Sequence, residues 1–282
     1  MDKVEALPEI EGSVKPSFGS RAAKWWADSR TTIIFAILVF VVWEVGVRAF
    51  AIKQYILPAP TVVLGQFYEK FPLIWSNTVV TAYETLIGFA LSIVFGIPLS
   101  MIIAFSKVLK RTLYPSAVTL EMIPKIAFAP LFVTWFGFGF LPKMIIVFLV
   151  CFFPILLNGI LGFTSLSQEL GYFTRSTGAN AITTFFKIRL PAALPELFVG
   201  LKGAATNATV GAVISEWIGG DAGLGYYIQM ASGELRMDIA FAIIIMLALL
   251  GLALFFAVVL VERRLIPWHV SQRSPVQGPT GL

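Results

Sequence analysis

Glu121 and Lys125 stand four residues apart in an otherwise apolar stretch, the acid-first order that favours an i, i+4 ion pair on one helix. Further along, Asn158, then Thr206, Asn207, Thr209 and Glu216, set hydrogen-bonding groups into long apolar runs. Covalent and metal chemistry have little to work with. The one cysteine, Cys151, excludes an intrachain disulfide and a thiolate cluster. The one histidine, His269, leaves no His-based zinc or haem site, so no metal ligands are expected. No G-x-x-x-x-G-K-[ST] phosphate loop occurs, and Gly-Lys is found nowhere, so a Walker-type nucleotide site is excluded; Gly223-Leu224-Gly225 is a lone G-x-G. No Ser and Asp stand paired within the apolar runs as a catalytic dyad would. What remains is non-covalent chemistry, hydrogen bonds and charge offered either to a solute or to neighbouring helices.

The elements that carry these groups belong in a membrane. The 282 residues are 57% hydrophobic and 13% charged, about half the charge of an ordinary soluble domain, and mean hydropathy is +0.84. A soluble enzyme and a disordered chain are both excluded. Spanning a hydrocarbon layer of about 30 Å takes about 20 apolar residues of helix. Residues 85–106, 144–168 and 239–261 contain no Asp, Glu, Lys or Arg over that length. Residues 31–51 form another span, interrupted by Glu44 and Arg48; 113–136 carries Glu121 and Lys125 near its start; 195–218 is the weakest. About 30 mixed polar residues precede the first apolar run, so a signal peptide is not expected.

Six spans put most of the 21 Lys and Arg on one side, and the positive-inside rule makes that side and both termini cytoplasmic. The net charge of +5 then reflects basic loops on one membrane face and gives no reason to expect nucleic-acid binding. Residues 1–30 read as a cytoplasmic segment, 31–265 as the membrane domain and 266–282 as a flexible tail. Residues 52–77 read as a strap along the outer face. Glu84 reads as interfacial, and Pro98, Pro130 and Pro154 as kinks in their spans. Within this frame Glu121, Lys125, Asn158, Thr206, Asn207, Thr209 and Glu216 either line a path across the membrane or serve packing: a mutually neutralised pair, interhelical bonds and a solvated helix-end carboxylate.

The largest internal loop, 166–193, holds a second pattern. Gly178 separates two short segments, and after it Ile182, Phe185, Phe186 and Arg189 fall at i, i+3, i+4 and i+7, one face of a helix that Pro191 should end. Such a knob either docks on a cytoplasmic partner or lies on lipid. Gly178, nine intervening residues, then Ile188-x-Leu190-Pro191 resembles the signature loop of ABC importer permeases, E-A-A-x-x-x-G-x(9)-I-x-L-P; Arg175 and Ala179 are also typical. The first half departs, with Tyr172-Phe173-Thr174 in place of Glu-Ala-Ala, so no role of that Glu transfers. The resemblance continues through Leu57-Pro58-Ala59-Pro60, Gly96-Ile97-Pro98-Leu99, Ile123-Pro124, Ala129-Pro130-Leu131, Trp135-Phe136-Gly137, Phe153-Pro154-Ile155, Gly223-Leu224-Gly225-Tyr226 and Pro267-Trp268. These are similar to the binding-protein-dependent branch that moves nitrate, sulfonates, taurine, thiamine precursors, riboflavin and aromatic acids. Residues 204–213 are closer to the heterocycle and aromatic-acid members.

The resemblance implies an all-α fold of about six spans, the type I ABC importer permease fold, in a bacterial inner membrane. It makes the 171–191 loop a coupling helix, with Arg175, Gly178, Ala179, Ile182, Phe185, Phe186, Lys187, Ile188, Arg189, Leu190 and Pro191 facing a separate ATPase. It also implies the partners: a second permease copy as a homodimer, two cytoplasmic ATPase subunits and an extracytoplasmic solute-binding protein. The chain itself is then no enzyme and binds no cofactor, with ATP and Mg held by the ATPase. The competing expectation is a secondary transporter driven by an ion gradient, which should show inverted-repeat halves.

Overall fold

The computed structural model describes residues 18–165, 176 and 180–268, with side chains from Arg30 onward except Thr31 and Ala181. Among these residues every regular element is helical: α1 (Phe18–Ala49), α2 (Pro60–Glu69), α3 (Phe71–Phe105), α4 (Lys107–Met122), a 3-10 turn (Lys125–Phe128), α5 (Ala129–Phe136), α6 (Phe140–Thr164), α7 (Ala181–Thr184), α8 (Leu190–Gly219), α9 (Leu224–Gly233) and α10 (Met237–Leu265). A π turn, Phe185–Arg189, joins α7 to α8. Five of these helical stretches are long and apolar enough to cross a membrane, and α4 with the segment Lys125–Phe136 makes a sixth span bent by 79°. The expected ends at 1–17 and 269–282, with His269, lie outside the described residues.

The sixth span corrects the expectation of one continuous helix over 113–136. Pro124 has no N–H to donate, and its ring pushes Ile123 into extended backbone at φ −70°, ψ 128°, so α4 stops there. Pro130 does not kink a helix; it occupies the first turn of α5, where a missing N–H costs nothing. Pro98 and Pro154 do lie inside α3 and α6. A second correction concerns Pro191, which does not end the loop helix. The Leu190 N–H reaches back to the Phe185 carbonyl, five residues away, and this wide turn carries the chain through Pro191 and Pro195 into α8. The outer strap is shorter than 52–77, because α3 already starts at Phe71. The loop after α8 holds helix α9.

The core is α3, α6 and α8, and small residues let them close on each other. Helices α3 and α6 run the same way with a constant 59-residue offset: Glu84 meets Lys143, Gly88 meets Val147 and Gly96 meets Ile155. Helix α8 runs against them, with Ala193 over Gly162 and Gly200 over Asn158. A side chain at Gly162 would come within 2.7 Å of the Ala193 carbonyl oxygen, so the approach is backbone to backbone. Helix α1 lies outside this core, and its Glu44 carboxylate accepts from the Thr61 N–H and hydroxyl at 3.1 and 2.9 Å. The charge that interrupts the first span therefore caps α2.

Candidate functional site

The break between α4 and α5 opens a recess of about 260 Å³. Glu121, Pro124 and Lys125 bound one side, and Val150, Asn207 and Gly211 bound the other. The Lys125 ammonium donates to Glu121 Oε2 at 2.7 Å and to the Glu121 carbonyl oxygen, and lies 5.0 Å from the centre of the Phe153 ring. It thus uses its charge on groups already present, closing the turn that Pro124 breaks. Asn207 is exposed here, and its amide makes no hydrogen bond to any described residue. Thr206 is exposed beside it, its hydroxyl turned back on the Lys202 carbonyl at 3.0 Å.

The other three predicted polar residues lie elsewhere. Asn158 donates to the Pro154 carbonyl at 2.8 Å and packs against Gly200, within the α6–α8 contact. Thr209 is buried, facing Gly251 of α10. Glu216 is at the far end of α8 and wholly buried, which corrects the picture of a solvated helix-end carboxylate. The Thr81 hydroxyl donates to it at 2.6 Å, and the Gly225 N–H donates to its other oxygen. Gly223, at φ +111°, has no Cβ because one would sit 2.1 Å from Glu216 Oε1. The Gly223 N–H donates to Asn77 Oδ1 at 2.9 Å, and the Leu224 N–H to Thr81 Oγ1 at 2.8 Å. The lone G-x-G is thus a clamp that lets the α8–α9 turn close over a buried carboxylate.

Beside this clamp is an ion pair that the sequence reading did not join. Glu84 and Lys143 are 2% and 3% exposed and 3.0 Å apart, and Asp221 reaches to 3.6 Å from the same ammonium. Glu84 is buried between helices and is not at a helix end; α3 begins thirteen residues earlier, at Phe71. The signal was present: Glu84 and Lys143 each stand immediately before a long charge-free run. At the opposite end of the bundle, Lys202 and Glu262 tie α8 to α10 at 3.0 Å.

The described part of the 166–193 loop lies at the end of the bundle that carries the basic loops. Ile182 and Phe186 are 71% and 62% exposed, and Lys187 is exposed with them. Phe185 is not on that surface. Its ring packs against Phe105 and Phe163, at centroid separations of 6.0 and 6.3 Å, and Arg189 covers Phe105 at 5.0 Å. Ile188, Leu190 and Pro191 are half-buried at the base. The expected single face is therefore split between an exposed tip and an anchored root. Arg175, Gly178 and Ala179 lie outside the described residues.

A helical bundle with a broken span, buried ion pairs between helices and an exposed knob at its basic end is a multi-pass membrane protein built for non-covalent handling of solutes. The chain belongs to the binding-protein-dependent transport system inner membrane components, whose family pattern matches residues 96–267. It is 33% identical over 240 residues to the formylaminopyrimidine transport permease protein ThiX of Halalkalibacterium halodurans, covering 85% of this chain and 96% of the relative. It is 34% identical to the riboflavin transport system permease protein RibX of Chloroflexus aurantiacus, covering 88% and 92%. The taurine transport system permease protein TauC of Escherichia coli is 28% identical, covering 89% and 95%. A solved structure of the MetNI methionine ABC transporter, with a TM-score of 0.59 and 17% identity over 70% of this chain and 98% of that one, shares the fold. The chain is an ABC importer permease subunit, which is not itself an enzyme, and the secondary-transporter alternative is set aside.

Proposed function

We propose that this subunit forms the translocation path for a small organic or oxyanion solute at a bacterial inner membrane, with 31–265 as the permease domain. A binding protein delivers the solute on the outer face. Two cytoplasmic ATPase subunits, which hold ATP and Mg, act through the 171–191 segment, and two copies of the chain pair around the path. The recess at Glu121, Lys125 and Asn207 is part of that path. The observation that carries the coupling assignment is the exposed pair Ile182 and Phe186 on a root fixed by Phe185: apolar anchors on a stiff base are what a lever needs. The names of its relatives, for formylaminopyrimidine, riboflavin and taurine transport, support a small solute.

Ile182→Asp with Phe186→Asp should abolish transport-stimulated ATP hydrolysis and co-purification of the ATPase while membrane insertion is unchanged; replacing Gly178 by Val should do the same. Stimulated hydrolysis that survives these changes refutes the docking surface. Vesicles holding this chain alone should move nothing, and uptake driven there by a sodium or proton gradient would overturn the whole reading.

A further inference from the structure

We infer that the solute crosses this subunit without net negative charge, as an uncharged hydrogen-bonding molecule read by the Asn207 amide; this rests on the transport reading above. An anion in a low-dielectric path is held best by a cation not already spent on another group. The three lysines set into the body of the bundle are all spent: Lys125 on Glu121 at 2.7 Å, Lys143 on Glu84 at 3.0 Å and Lys202 on Glu262 at 3.0 Å. The described residues of α3, α6 and α8 hold no Lys or Arg besides Lys143 and Lys202. In the recess itself the one ammonium is further occupied by a carbonyl oxygen and an aromatic ring.

The outer end reinforces this. Glu84 and Glu216 are buried there against the single Lys143, with Asp221 exposed above it, so carboxyl groups outnumber ammonium groups three to one. An oxyanion reaching that cluster finds its ammonium already held by carboxyl groups. By contrast Asn207 offers both a donor and an acceptor with no partner among the described residues, between the apolar walls of Ile123, Val150 and Val210. At about 260 Å³ the recess lies just under the roughly 300 Å³ at which ligand pockets begin, which suits a small solute.

The test is uptake by cells carrying the whole transporter, compared with cells lacking this chain. The uncharged probes are radiolabelled cytosine and riboflavin, and the anionic probes are methanesulfonate, nitrate and benzoate. Chain-dependent uptake should be confined to an uncharged probe. Asn207→Leu should lower it about tenfold, the worth of one or two lost hydrogen bonds, while Asn207→Gln, which keeps the amide, restores most of it at equal membrane levels. Glu121→Gln frees Lys125 and should make uptake newly sensitive to methanesulfonate or benzoate as competitors. Chain-dependent uptake of an anionic probe by the wild type overturns the inference and leaves the transport reading standing. Equal loss in the Leu and Gln variants, with both present in the membrane, removes Asn207 from the site.

Discussion

Removing the Lys143 ammonium should be among the most costly single changes in this protein. In Lys143→Met the stem is kept and the charge is lost, which strands Glu84 at 2% exposure with one oxygen already unpartnered and Glu216 buried nearby. Breaking a buried pair from one side costs about 3–5 kcal/mol. The reverse change, Glu84→Gln, is milder, because Asp221 stands 3.6 Å from the ammonium and the amide can still accept a hydrogen bond. The loss there is that of a charge-assisted bond, about 1.5–3 kcal/mol. With both partners neutral the Glu84 carboxylate is no longer stranded, so the double variant should recover part of the Lys143→Met loss. The remainder reflects Glu216 and Asp221 beside the lost ammonium. The measurement is reversible unfolding of the purified chain in detergent, titrated with SDS and followed by far-UV circular dichroism. A Lys143→Met loss below about 1 kcal/mol, the range of a solvated surface pair, or a double variant equal to the sum of the singles, would refute the account of a dry, closed pair.

The glycines separate by what a methyl group would meet. Gly223→Ala, against Glu216 and at positive φ, and Gly162→Ala, against a backbone carbonyl, should each destabilise by about 1–3 kcal/mol in the same unfolding assay, whereas Gly203→Ala has nothing within 4 Å and should be neutral or slightly stabilising. In the loop, Phe185→Ala should lower stability by about 1–3 kcal/mol through lost contact with Phe105 and Phe163, and Phe186→Ala should leave stability intact while reducing stimulated ATP hydrolysis; equal effects of the two in both assays would contradict the split between tip and root. Lys202→Met should destabilise by stranding Glu262, and Glu262→Gln alone should cost less because Lys202 is part-exposed and can reach water.

Much was legible in the amino-acid order because it depends on local chemistry. Long charge-free runs must be helices across a membrane, where every backbone group needs a partner within its own segment. Pro124 breaks the helix before it, whereas Pro98 and Pro154 sit inside theirs. A proline in the sequence therefore marks a weak point without settling whether the span over 113–136 would bend there. The acid-first spacing of Glu121 and Lys125 is enough to set their pair, which the structure contains at 2.7 Å. Spacing also put Ile182 and Phe186 at i and i+4 of the expected face, and both are exposed. What it could not decide is which way that face turns once a π turn shifts the register, and so Phe185 went inward.

The rest was settled by contacts between residues far apart in the chain. Glu84 and Lys143 are 59 residues apart, Thr81 and Glu216 135 apart, and no local spacing rule joins the members of either pair. The dielectric around each carboxyl, and so whether it is a surface charge or a buried anchor, is fixed only when α3, α6 and α8 close on their small residues. The same packing drew Asn158 and Thr209 into helix contacts and left Asn207, one face away on the same helix as Thr209, open to the recess. Sequence names the polar groups in a membrane span, but their exposure is a property of the bundle, because a rotation of 100° per residue puts neighbours in different surroundings.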